Sequence, residues 1–429
     1  MNFAAAVFTV ALTVAGIASG AEQFSFDASE FEKKIFDTSG YLEEKLEAMS
    51  LRGDAPAYRL GYPGKPARKS LVRSTTTLEA SARLNLDAFV ADLRAQAVSA
   101  HDALTDTRSE ATVMDSGVRW SAGPGYVVDI GKRVQRWGKG YAWSPVGFIE
   151  RPRDANDPQA SREGFVMASG EWTKRFESPV STVGITGLIV PTSGRINTDF
   201  GQTGHVNPAA KLYLLALDTD LDLLWRGKGA RPQSFGVDFS RNISSALEVH
   251  GEWARTLAAP RNTVTASGVT RSAQANADAW LLGLRYLTGG EVTWIVEYYR
   301  NGNGFSAREL DAYGEFLAYA LAPGAGAALE NKARAVAQSG YGRPNPGRDY
   351  LYLKASVSEP FGWVYGAAAL TAMSNVHDGS WQLTPEVSYS GLAGVELRAR
   401  LVLLAGPAHA EFAEKAVRNR LELQARFFF

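Results

Sequence analysis

Short segments in which apolar and polar residues alternate recur along this chain, and the connections between them are short and long in turn. Leu78, Ala80, Ala82, Leu84 and Leu86 share one parity, while Glu79, Ser81, Arg83 and Asn85 share the other. Leu351, Leu353, Ala355 and Val357 stand opposite Tyr350, Tyr352, Lys354 and Ser356. Val395, Leu397, Ala399, Leu401 and Leu403 stand opposite Glu396, Arg398 and Arg400. A period of two puts each set on its own face of an extended strand, so every such strand lies between two different media. Around Asp87 the parity shifts, and Leu93, Ala95 and Ala97 then oppose Asp92, Arg94 and Gln96, as happens at a tight turn between paired strands.

Joining the segments gives tight turns at Asp87, Gly123–Gly125, Glu177–Pro179, Asp218–Asp220, Ser240–Asn242, Gly289-Gly290, Glu359-Pro360 and Ser390-Gly391. Longer connections are expected near 52–75, 101–111, 135–163, 192–208, 256–276, 301–347 and 405–418, with shorter ones near 228–232 and 374–380. Transmembrane β-barrels have short periplasmic turns and longer outer loops. The expected fold is therefore all-β: a transmembrane antiparallel up-and-down β-barrel of about 18 strands (16–18), running from near Gly40 to Phe429. Trp120, Trp172, Trp225, Trp253, Trp280, Trp294, Trp363 and Trp381 sit near strand ends, as in the aromatic girdles of a membrane interface. Glu44 shares the parity of Leu42 and Leu46, an irregularity in the first strand.

The last segment carries Leu421, Leu423, Ala425, Phe427 and Phe429 on one face, with Arg420, Glu422, Gln424 and Arg426 on the other. It resembles the closing strand of bacterial outer-membrane barrels, which implies recognition of the strand ending at Phe429 by the barrel-assembly machinery. At the other end, an apolar run from Phe3 to Ile17 precedes Ala18-Ser-Gly-Ala21. That pattern reads as a signal peptide over 1–21, too short for a spanning helix of roughly 20 apolar residues. Residues 22–39 would then be a periplasmic N-terminal arm or plug segment, and 40–429 the barrel. The expected address is the bacterial outer membrane. Zero cysteines exclude disulfides and thiolate metal sites. With 45 basic and 45 acidic residues there is no global field for nucleic acid.

One long connection reads differently. Ser306-Ala-Arg-Glu309 is a capping box, and Leu310, Tyr313, Phe316, Leu317 and Ala320 follow at helical spacing. A second helix is expected over Ala327–Gln338. Connections of this length are usually functional or disordered, and two placements are open: folded into the barrel as a constriction, or capping the outer rim.

The densest segment runs from Gly131 to Pro158. It holds Lys132, Arg133, Arg136, Trp137, Lys139, Arg151 and Arg153 against Glu150 and Asp154. Arginine forks bind carboxylates and phosphates, and aromatic faces stack on sugars or cations. A pore lined this way favours anionic or saccharide-like solutes. The alternative is that these arginines pair with lumenal carboxylates or with lipopolysaccharide phosphates at the rim. The pattern Gly-Lys-x-x-x-x-Trp-Gly-x-Gly-x-Ala-Trp-x-Pro over 131–145, then Arg-Pro-x-Asp-x-Asn-Asp-Pro over 151–158, resembles a group of uncharacterised, porin-like proteobacterial outer-membrane barrels. The blocks Phe26-Asp27 with Glu30 and Glu32–Lys34, Asp238–Asn242 and Glu297–Phe305 share that resemblance. More distantly, the turn through Trp137-Gly138 is similar to capsule-assembly and alginate-export-type barrels. That likeness implies polysaccharide export or surface attachment.

Glu248, His250 and Glu252 project to one strand face, with Arg285 and Glu297 expected inward on nearby strands. Imidazole and carboxylates can hold zinc, but charged ladders inside barrels are normally mutual ion pairs, so no metal, cofactor or catalytic residue is assigned. Neither a Gly-x-Ser-x-Gly elbow nor a phosphate-binding glycine loop occurs. The expectation is a non-enzymatic, porin-like channel for small polar or anionic solutes. Its tentative constriction is Arg133, Arg136, Trp137, Lys139, Arg151, Arg153, Glu248, His250, Glu252, Arg285 and Glu297. Competing readings are a polysaccharide-export barrel, a sleeve for a partner protein and, less favoured, an outer-membrane hydrolase. Expected partners are outer-membrane lipid and lipopolysaccharide, the assembly machinery, small solutes, and further copies should the barrels form a homo-oligomer.

Overall fold

The computed structural model describes residues 34–158 and 160–429. The expected signal peptide and most of the expected arm lie outside the described residues. Strands β1 (Phe36–Leu51), β2 (Ser70–Leu86), β3 (Phe89–Asp102), β4 (Asp106–Gly123), β5 (Tyr126–Arg133) and β6 (Phe165–Arg175) come first. They are followed by β7 (Val180–Pro191), β8 (Val206–Ala216), β9 (Thr219–Arg226), β10 (Ser234–Asn242), β11 (Leu247–Val264) and β12 (Thr270–Leu287). The last six are β13 (Thr293–Arg300), β14 (Asp349–Ser358), β15 (Gly366–Asn375), β16 (Trp381–Leu392), β17 (Val395–Ala405) and β18 (Val417–Phe428). Each strand pairs antiparallel with its chain neighbours, and β1 pairs with β18 as well as with β2, so the 18-stranded sheet closes. Closure leaves no unpaired edge. At the seam the Gly40 N–H donates to the Phe429 carbonyl at 2.9 Å, and the Phe429 N–H donates to the Gly40 carbonyl at 3.0 Å.

The period of two sorts the side chains as the sequence pattern requires. Leu42 and Leu46 on β1, Leu78 on β2, Ile185 and Ile189 on β7, and Leu421 and Leu423 on β18 are exposed on the outside. Their neighbours Glu47, Thr186 and Glu422 are buried inside. An apolar belt around a whole perimeter suits hydrocarbon. Trp120, Trp253, Trp294, Trp363 and Trp381 are exposed on that belt. Glu44 does face outward, as its parity implies, and two hydroxyls of β2 satisfy it: Ser74 Oγ donates at 2.5 Å and Thr76 Oγ1 at 2.6 Å.

Two expected long connections are short. The β3–β4 connection is only residues 103–105 and not 101–111, because the Asp102 carboxylate accepts the N–H groups of Leu104 and Thr105 at 2.8 Å and closes a tight turn. The expected loop at 256–276 is instead strand: β11 and β12 continue to a turn at 265–269, after a register shift between Thr256 and Ala259. Pro260 and the polar run after it masked the alternation there.

The connection from Asn301 to Arg348 caps the loop end of the barrel. Its helices are α2 (Ala307–Ala320) and α3 (Ala327–Val336), joined to β14 through a π-helical turn, Ala337–Tyr341. Ser306 and Glu309 form the capping box, with Glu309 Oε2 accepting the Ser306 N–H at 2.8 Å. Phe316, Leu317 and Val336 pack with Val264 of the extended β11 and with Leu60 of α1 (Pro56–Gly61), the short helix of the β1–β2 loop. This connection therefore rests on the rim.

Candidate functional site

The segment that enters the barrel is the β5–β6 connection, residues 134–164. After Arg133 the alternation stops, and Gly138, Gly140 and Pro145 follow. Gly138 adopts φ 93°, and a Cβ there would lie 2.2 Å from Ser144 Oγ and 2.6 Å from the Glu252 carboxylate. Only glycine suits that turn.

A loop placed in a barrel must find acceptors for its own N–H groups, and the wall supplies carboxylates. Glu252, inward on β11, accepts the Lys139 and Gly140 N–H groups at 2.7 and 2.6 Å through Oε1. Through Oε2 it accepts Ser144 Oγ–H at 3.0 Å and the Val146 N–H at 3.2 Å. Glu297, inward on β13, accepts the Tyr141 N–H and, at 2.8 Å, the Ala142 N–H. His250 Nε2 lies 3.0 Å from the same Glu297 carboxylate. All three wall residues are buried, so water does not compete for these charge-assisted bonds.

Packing completes the anchorage. Trp137, Val146, Phe148 and Ile149 meet Phe165, Met167, Leu188, Val190 and Leu224 of the wall. Ala142 and Trp143 meet Leu281, Ile295, Tyr350 and Tyr352. Trp143 stacks on Tyr299 with ring centroids 5.2 Å apart and planes at 22°. Burying such an aromatic side chain contributes about 1.5–3 kcal/mol. The signal for this is visible in the strands concerned, where apolar residues occupy both parities: Ile185–Val190, Leu221–Trp225 and Trp280–Leu282.

The expected constriction residues are placed as follows. Arg133 is buried at the root of the loop among three carboxylates: Nη1 meets Asp92 at 2.5 Å and Asp115 at 2.6 Å, and Nε meets Asp129 at 2.6 Å. Lys139 Nζ lies 3.1 Å from Asp222 and 3.9 Å from Asp238. Burial disfavours its charge, but those carboxylates outweigh the effect and hold its pKa above the ordinary value. Arg151 joins Asp199 at 2.8 Å to Glu163 at 3.2 Å. Arg153 meets Glu150 at 3.3 Å and donates to the Gly140 carbonyl. Trp137 is 1% exposed. Glu248 accepts Ser240 Oγ–H at 3.0 Å, and Arg285 opposes it in register on β12. Among the described residues, no group of three or more His, Asp or Glu is arranged to hold a metal.

Of that set, Arg285 is exposed on β12 and Arg136 lines a lumenal cavity. A cavity of about 350 Å³ lies between the far part of the loop, Asn156–Pro158 with Ala160 and Ser161, and the wall formed by β1–β3 and β14–β17, with Arg426 contributed by β18. Its basic side chains are Arg94, Arg136, Lys354, Arg398, Arg400 and Arg426, against Glu79, Asp157 and Glu386. Arg94, Lys354, Arg398, Arg400 and Arg426 all stand on the polar parity of their strands, so the sequence places them inward. It does not say which sector of the lumen the loop leaves clear.

No protein-family model matches the chain, and comparison with curated proteins finds no sequence match. The resemblance read from the blocks around Gly131–Pro158 therefore rests on those blocks alone. Solved structures do match. OccK5 (OpdH) of Pseudomonas aeruginosa aligns over 92% of this chain and 98% of its own at 11% identity, with a TM-score of 0.51. A substituted porin of Rhodopseudomonas blastica aligns over 92% and 100% at 11% identity, with a TM-score of 0.43. At such identity the likeness is one of fold alone: a closed, porin-type antiparallel barrel. Function has to be read from the lumen.

Proposed function

We propose that this protein is an outer-membrane, porin-like channel that passes small polar solutes and prefers anions. The observation that carries the reading is the asymmetry of the lumen. The inserted loop packs against the wall from β6 to β13, and the cavity left against β14–β17 is lined by six basic side chains and three acidic ones, with Glu396, Glu422 and Glu43 paired to Arg398, Arg400 and Arg426 behind them. Fixed charge of one sign in a narrow passage raises the local concentration of the opposite ion. The closed sheet and apolar outer wall support membrane residence, since every strand edge is paired where no water could satisfy it. Lipid and lipopolysaccharide would surround that wall, and the strand ending at Phe429 would be the one the assembly machinery reads. Passage without turnover fits the state of His250, which is engaged with Glu297 beneath the loop.

Single-channel recording of the folded barrel in planar bilayers tests this. Steady conductance with chloride favoured over potassium is expected, and replacing Arg136, Arg398 and Arg400 by Gln should bring the permeability ratio to unity or below. Folded protein that does not conduct, or a ratio indifferent to these substitutions, would overturn the proposal.

A further inference from the structure

Within the basic sector one acidic group differs from the others in what carries it. Glu386 and Glu396 are fixed on strands and hold the arginines closely: Arg400 meets Glu386 at 2.6 Å, and Arg398 meets Glu396 at 2.8 Å. Glu422, also on a strand, stands 3.5 Å from Arg400 but is only 7% exposed and is held by Arg420 at 2.6 Å. Asp157 belongs to the inserted loop. Its carboxylate stands 3.5 Å from Arg400 and 3.8 Å from Arg398. It is a third exposed, while the two arginine side chains it faces are 10% and 20% exposed. The loop is steered there by its neighbours, since Gln382 donates to Asn156 and Arg94 donates to Ser161 Oγ at 2.5 Å.

We infer that Asp157 is a built-in counter-ion: it occupies the anion position between Arg398 and Arg400, and a solute anion entering the cavity takes its place. Resting on the channel reading above, this names the residue that sets how strongly the sector holds anions. The long contact and partial exposure make Asp157 the exchangeable partner, because a charge pair at that distance beside water is weak and salt-screened. The strand-borne glutamates are all more enclosed, Glu386 and Glu396 are also closer, and they remain. With Asp157 displaced, Arg398 Nη1 and Arg400 Nη2, the donors that face it, are left to a carboxylate or phosphate oxygen, while the rest of each guanidinium stays with Glu396, Glu386 and Glu422.

The full chain, checked for folding by heat-modifiable gel migration, is compared with Asp157→Asn and Asp157→Ala in planar bilayers under a KCl gradient. Both variants should raise the chloride-over-potassium permeability ratio at least about twofold, as expected when one fixed charge leaves a narrow passage. Inorganic phosphate should also block their chloride current at lower concentration than it blocks the wild type. In an Arg398→Gln, Arg400→Gln background, Asp157→Asn should produce no such tightening of the phosphate block. An unchanged ratio in an anion-preferring wild type overturns the inference and leaves the channel reading standing. Equal tightening with and without the two arginines overturns the direct pairing. A wild type that is silent or prefers cations overturns the channel reading, and this inference with it.

Discussion

Glu252, fixed on β11, accepts the Gly140 N–H of the inserted loop at 2.6 Å, and three further loop groups bind the same carboxylate. One side chain thus holds two turns of the loop. Removing it leaves several buried donors unpaired, at about 1–3 kcal/mol each. Glu252→Ala should free the loop while the barrel stays closed. The expected readout is larger, noisier single-channel current together with new protease cleavage between residues 134 and 164.

Arg133 is the cation that holds Asp92, Asp115 and Asp129 together. Its neutralisation removes the shared cation of the partly buried Asp92 and Asp115 and leaves the buried Asp129 to Arg119 alone; the loss should approach the about 3–5 kcal/mol seen when one partner of a buried pair is removed. Arg133→Gln is expected to lower the thermal unfolding midpoint clearly. Arg151→Gln, on the more open pair with Asp199, should cost much less. Chloride preference should survive in Arg151→Gln, because that side chain lies outside the basic cavity.

Gly40 is fixed by close approach at the seam. A Cβ added there would lie 2.5 Å from the Glu79 carbonyl oxygen and 2.6 Å from the Phe429 ring. The ring can turn aside, but the carbonyl belongs to the β1–β2 ladder. Gly40→Val should destabilise the folded barrel by about 1–3 kcal/mol, the usual range for overpacking. Reduced resistance to unfolding in heat-modifiable electrophoresis checks it.

The rim cap should respond to acid through Glu309. Partial burial opposes its ionisation, but the Ser306 N–H and hydroxyl and the Arg261 guanidinium outweigh that and hold its pKa below the ordinary value. A depressed carboxyl stabilises the docked cap fully above the ordinary glutamate pKa of about 4.3. That contribution is lost as pH falls through the lowered folded value. Hydrogen exchange across 301–348 should therefore rise on acidification below about pH 4. In Glu309→Gln exchange should already be raised at pH 7 and change less with acid. Equal acid response in both proteins would refute the assignment.

The wall of the barrel was legible because each strand carries its own instruction. Leu421, Leu423 and Phe427 against Glu422 and Arg426 can satisfy two media only as an extended strand, and that holds whatever the strand pairs with. Glu44 seemed to break the rule until β2 supplied Ser74 and Thr76, partners that no local pattern on β1 could show. The turn at 103–105 and the extended β11–β12 hairpin were missed for a related reason. An Asp102 side chain that closes a turn and a register shift at Thr256 interrupt the alternation without ending the strands.

The candidate site divides in the same way. By itself the sequence determined the all-β barrel, the inward parity of Glu252, Glu297, Arg398 and Arg400, and the concentration of charge in 131–158. Those are properties of short stretches, fixed by side-chain alternation and composition. Tertiary structure decided which connection enters the lumen, that Glu252 and Glu297 hold its backbone, and that Arg133, Arg151 and Arg153 are spent on carboxylates near them. Of the dense segment's basic residues, Arg136 then joins Arg94, Lys354, Arg398, Arg400 and Arg426 around this cavity. A charge seeks its partner across the barrel, far away in the chain, and one sequence records both charges without recording which pairs are made.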